Sequence, residues 1–71
     1  MTDSQLKLFH QVCAKSGYRY DYEIAEKLGI TPETLSRKLN GKSGWKLEEI
    51  ELFNKVFSCP NKVSNLIFYS V

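Results

Sequence analysis

The densest hydrogen-bonding chemistry of the chain lies in residues 33–46, ETLSRKLNGKSGWK. Arg37, Lys38, Lys42 and Lys46 carry positive charge there, with no acid from residue 37 to residue 46. Acids gather on either side instead, at residues 21–33 and 48–51. The whole chain has a formal net charge of only +2, so it is nearly neutral overall yet basic along one segment. Such a distribution is a footprint for a polyanion. Arg37 has a planar fork that can donate to guanine O6 and N7. Thr34 can offer a methyl to thymine or a hydroxyl to a base. Glu33 can accept from cytosine N4, or simply stabilise the first turn of a helix as an acid near the positive dipole end. These three form the expected base-contact set. Ser36, Lys38, Asn40, Lys42, Ser43 and Lys46 suit phosphate oxygens, with Tyr22 upstream. The glycines at 41 and 44 let backbone N–H groups approach a phosphate closely.

Those side chains can read a ligand only if a rigid scaffold holds them. Residues 24–42 supply one. Ile24, Ala25 and Leu28 follow a helical apolar spacing, and so do Leu35 and Leu39. Between them stands Gly29-Ile30-Thr31-Pro32. Gly29 can end a helix in the left-handed region, Thr31 can cap the next, and Pro32 suits a first helical position. So little chain remains to turn in that the second helix must fold sharply across the first, and Ala25 is small enough to allow a close crossing. This is the physical signature of a helix-turn-helix at about residues 21–40.

The remaining elements complete an all-α domain spanning residues 1–71. A first helix over 5–16 aligns Leu6, Phe9 and Cys13, with Val12 beside them, after possible caps at residues 2–4. The Tyr18–Tyr22 segment, with Arg19 between its aromatics, leads into a helix over 21–28. A third helix runs over 32–39 or 40, and Asn40-Gly41 supplies its left-handed cap. The fourth, over 47–57, buries Ile50, Phe53 and Phe57. A short fifth, over 61–67, buries Val63, Leu66 and Ile67. Trp45 reads as an anchor for the fourth helix. The tail, residues 68–71, is apolar for a free end, so it either packs back or meets a second copy.

Several functional classes fall away. Seventy-one residues support one small core rather than a deep catalytic cleft. No Ser/His/Asp or Cys/His/Asn arrangement and no nucleotide-cradling glycine motif is visible, so no enzyme is expected. His10 and Cys13 are at most half a metal site, and no cofactor is expected. Two cysteines, Cys13 and Cys59, make no disulfide framework. With no targeting segment and no apolar run of membrane-spanning length, the simplest compartment is a reducing cytoplasm.

The run Glu23-Ile24-Ala25-Glu26-Lys27-Leu28-Gly29-Ile30-Thr31, followed by Thr34-Leu35-Ser36-Arg37 and Asn40-Gly41-Lys42, resembles the Cro/CI-type, lambda-repressor-like helix-turn-helix family. The stretch Leu39-Asn40-Gly41-Lys42-Ser43-Gly44-Trp45 with the acidic helix after it is most similar to small Cro-like repressors of phages and prophages. The resemblance implies a compact five-helix fold with the third helix in the major groove of double-stranded DNA. It also implies a homodimer on a palindromic or pseudo-palindromic operator, in a bacterial cytoplasm or nucleoid. The chain departs from the family at Tyr20-Asp21-Tyr22, and at Pro32 and Glu33, where many members carry glutamine or another donor. Two other readings stay open. One is a protein-interaction module such as an antitoxin or anti-repressor on the same fold. The other is an excisionase-like architectural DNA-binding factor.

Overall fold

The computed structural model describes residues 1–69. Its helices are α1 (Asp3–Lys15), α2 (Asp21–Lys27), α3 (Pro32–Leu39), α4 (Leu47–Val56) and α5 (Asn61–Phe68), with no strand among the described residues. The fold is therefore all-α. Four of these helices end alike: the residue after the cap turns left-handed and the amide beyond it folds back onto the last turn, joined in α1, α2 and α3 by the amide of the left-handed residue itself. After α2, Gly29 donates to Glu26 O at 3.1 Å and Ile30 to Ala25 O at 3.0 Å. Gly29 has φ +69°, so the short turn rests on glycine's tolerance of that region. Equivalent bonds close α1 at Gly17 and Tyr18, and α3 at Gly41 and Lys42. Only Gly41 is left-handed at the α3 end; Asn40 has φ −87°.

The fourth case has no glycine. Ser58 adopts φ +51° after α4, where Cys59 donates to Asn54 O at 2.9 Å. A left-handed L-residue costs about 1–2 kcal/mol, part of which glycine would return through its floppier unfolded chain. Ser58→Gly is therefore expected to stabilise the domain by about 0.5–1 kcal/mol, read as a raised urea midpoint with an unchanged slope.

Helix starts follow side-chain chemistry. Thr2, rather than a residue nearer 5, begins α1. Its hydroxyl accepts from Gln5 N–H at 3.2 Å, while Gln5 Oε1 accepts from Thr2 N–H at 2.7 Å. Thr31 accepts from Thr34 N–H at 3.2 Å, and Pro32 follows at the first helical position. The expected boundaries hold to within one or two residues. The exceptions have causes: the reciprocal cap lengthens α1 backward to Asp3, and α5 continues one residue further, to Phe68.

α2 packs on α3, while α5 packs on both α1 and α4. The core they share holds Phe9, Cys13, Ile24, Ala25, Leu35, Phe53 and Ile67, all without solvent exposure. Its centre is aromatic. The Phe53 ring lies 5.0 Å from Phe9, 5.0 Å from Phe57 and 5.2 Å from Phe68. Phe68 thus folds back onto the core, which settles one half of the tail's choice; Ser70 and Val71 lie outside the described residues. One expectation fails here. Leu66 is not buried but 61 % exposed, because α5 turns Ser64 and Ile67 inward against its neighbours. No helix among the described residues is long and apolar enough to cross a membrane.

Candidate nucleic-acid interface

α3 buries Leu35 and Leu39 and turns Glu33, Ser36, Arg37 and Asn40 outward. The outward groups are organised among themselves. Arg37 Nη2 donates to Glu33 Oε1 at 2.7 Å, one helical turn apart. Asn40 Nδ2 donates to Ser36 Oγ at 3.3 Å. Thr34 is half-buried, and its hydroxyl oxygen accepts from Thr31 Oγ1 at 2.9 Å. The face is polar and prearranged, and its one cation is matched by its one anion.

Beyond Leu39 the chain loops through residues 40–46 before α4 begins. Lys42, Ser43 and Lys46 are exposed on that loop, and neither lysine makes an ion pair among the described residues. The carboxylate of Glu49 accepts from Lys46 N–H at 2.8 Å, which caps α4 from inside its first turn. Tyr22 is exposed at the start of α2, with its ring stacked on Tyr20 at 5.8 Å. Beside it, Asp21 meets His10 Nε2 at 3.0 Å, tying α1 to α2.

Lys38 is the correction. It was expected among the phosphate contacts, but it is only 6 % exposed. Its Nζ donates to Glu49 Oε1 at 2.8 Å and to Gly44 O at 3.0 Å, and lies 5.5 Å from the Trp45 ring centre. An ammonium withdrawn from water needs such partners, and once it has them it is no longer available to a phosphate. Lys38 holds the loop instead of gripping a ligand. One signal was present: Lys38 falls three residues after Leu35 and next to Leu39, on the buried stripe. Its partner, eleven residues away, left no local mark. Trp45 does anchor this end of α4, 5.9 Å from Phe9 and 4.9 Å from Phe68, although its Nε1–H meets no acceptor among the described residues.

The charges of this cluster shape Glu49. Burial alone would raise its carboxyl, but the hydrogen bonds from the Lys38 ammonium and the Lys46 amide, with both lysine charges, hold it below the ordinary glutamate range. Away from the loop, burial pushes the Cys13 thiol up to about 12, with the charge of Asp21 adding to it, so it stays a protonated core group. Among the described residues no three His, Cys, Asp or Glu side chains converge as a metal site.

The molecule is thus a small all-α domain in which one helix presents a matched polar face beside a lysine-bearing loop. The chain belongs to the family described as "Protein of unknown function (DUF739)", whose model matches residues 1–70. Comparison with curated proteins and with solved structures returned no match.

Proposed function

We propose that this protein is a sequence-specific double-stranded DNA-binding transcriptional regulator, a Cro-like repressor of phage or prophage type acting in the bacterial cytoplasm. α2 and α3 serve as its helix-turn-helix, with α3 in the major groove. The observation that carries the reading is the outward face of α3. Glu33 in its first turn and Arg37 one turn further on stand exposed on one side, an outward polar face of the kind a recognition helix turns to base edges. The adjoining loop offers Lys42, Ser43 and Lys46 to the flanking phosphates. A domain with one reading head gains specificity by pairing, so two copies would sit on a palindromic site with half-sites about 34 Å apart. Leu66 and Tyr69, 61 % and 50 % exposed on and just after α5, suit the contact between them.

The test is a titration against duplexes selected from a random pool, with the DNA flanking its own gene as a second probe. Arg37→Ala is expected to weaken the specific complex by about 5–150-fold, the value of one good base contact. Affinity should fall steeply with salt. Lys42→Ala and Lys46→Ala should each lower the slope of log K against log salt by about one, while Lys38→Met leaves that slope unchanged.

A rival reading, a protein-interaction module such as an antitoxin or anti-repressor, draws on a different observation. A groove of about 480 Å³ opens between α1 and the α4–α5 turn, with Leu8, Val12, Phe57 and Val63 in its lining and Lys15 at its side. It contains no residue of α2 or α3. Salt-insensitive binding to a protein partner, with no duplex complex, would favour that reading.

A further inference from the structure

Resting on the DNA-binding reading, we infer that Glu33 and Arg37 act as one composite reader of a single G·C base pair, with Glu33 contacting the cytosine. In the major groove a G·C pair presents guanine N7 and O6 as acceptors, then cytosine N4 as a donor. The salt-bridged pair on α3 presents the complement. The guanidinium has five N–H donors, and the bond to Glu33 uses one of them on Nη2. Two others remain for O6 and N7. Beside them stands the Glu33 carboxylate, whose lone pairs exceed the one bond it accepts.

The spacing agrees with this match. Cytosine N4 and guanine O6 are hydrogen-bonded to each other and so lie about 2.9 Å apart. Glu33 Oε1 and Arg37 Nη2 lie 2.7 Å apart. Neither side chain is held by anything else among the described residues, and both are exposed, 75 % and 58 %. Thr34 competes poorly as the reader of this position, because it is half-buried and already engaged with Thr31.

Charge explains why an acid is useful at this position. A lone carboxylate facing DNA is repelled by phosphates, and a lone arginine binds any phosphate it meets. Paired, the two are neutral, so α3 adds little to non-specific affinity. The acceptor oxygen of Glu33 is satisfied in the groove only by cytosine N4 or adenine N6, and Arg37 beside it selects guanine. Glu33 is therefore a specificity residue that would disfavour wrong bases by leaving its carboxylate unmatched.

Selection from random duplexes by the wild-type chain first locates the site. If no duplex is enriched, the DNA-binding reading falls, and this inference with it. If duplexes are enriched but no half-site carries a fixed G·C pair, the inference alone is overturned. Where a fixed pair appears, its cytosine is replaced by pyrimidin-2-one, which lacks the N4 amino group, and the wild type is compared with Glu33→Ala on both duplexes. Because both proteins meet the same weakened base pair, that effect cancels. The wild type is expected to lose about tenfold more affinity than Glu33→Ala on removal of the amino group, and Glu33→Ala to bind non-specific duplex more tightly than the wild type. Equal losses for the two proteins would overturn the inference while leaving the DNA-binding reading intact.

Discussion

Phe53→Ala is expected to remove about 3–5 kcal/mol, most of the stability that a domain of this size holds. Phe53 is fully buried, and its ring is the common neighbour of Phe9 on α1, Phe57 at the end of α4 and Phe68 on α5. Truncation therefore opens a cavity at the point where three elements meet, and α5 loses much of its reason to dock. Urea unfolding followed by circular dichroism should show either a much lower midpoint or no folded baseline. Phe53→Leu, which keeps most of the volume, should retain a cooperative transition. A loss below about 1 kcal/mol for the alanine variant would mean that the aromatic cluster is not the core's centre.

The second large effect is an asymmetry. Glu49→Ala should destabilise by about 3 kcal/mol, because it strands the Lys38 ammonium in the interior and also removes the cap on Lys46 N–H. Lys38→Met should cost far less. Methionine fills a similar volume without a charge to satisfy, and Glu49 keeps its amide partner and its place in the first turn of α4. The acid response follows from the same pair. The folded Glu49 carboxyl lies below its ordinary range, so its contribution is complete above the unfolded value and is lost as the pH falls through the folded one. Wild-type stability should thus decline on acidification more steeply than that of Glu49→Gln. Parallel declines would show that the Lys38–Glu49 pair does not govern this range.

What could be read from the sequence was whatever local chemistry decides. Gly29-Ile30-Thr31-Pro32 carries its own instructions, since a left-handed glycine, a capping hydroxyl and a first-turn proline act within four residues. The exposed placement of Glu33 and Arg37 followed from the phase of α3 against Leu35 and Leu39, and that of Lys42 and Lys46 from the polar, glycine-bearing loop that carries them. Three features escaped, two of them because distant partners decide them. Lys38 took its role from Glu49 and the Gly44 carbonyl, which reach it only once the loop has closed. Leu66 faces outward because the rotation of α5 is set by α1 and α4, and an eight-residue helix with Val63, Leu66, Ile67 and Phe68 has more than one apolar face to choose. Ser58 gave no warning of a left-handed turn, which a glycine would have signalled.

Trp45 is the only tryptophan of the chain, and it lies where the loop meets the core. Its indole N–H is shielded from solvent, and the Lys38 ammonium lies 5.5 Å from the ring centre. Ultraviolet light of suitable wavelength excites this one ring selectively. Its emission is expected to be blue-shifted while the N–H stays dry, and to respond to the field of the nearby ammonium. The protein therefore carries an intrinsic optical probe at the loop beside α3, and under the proposed function the addition of a duplex is expected to change its emission colour without any attached dye.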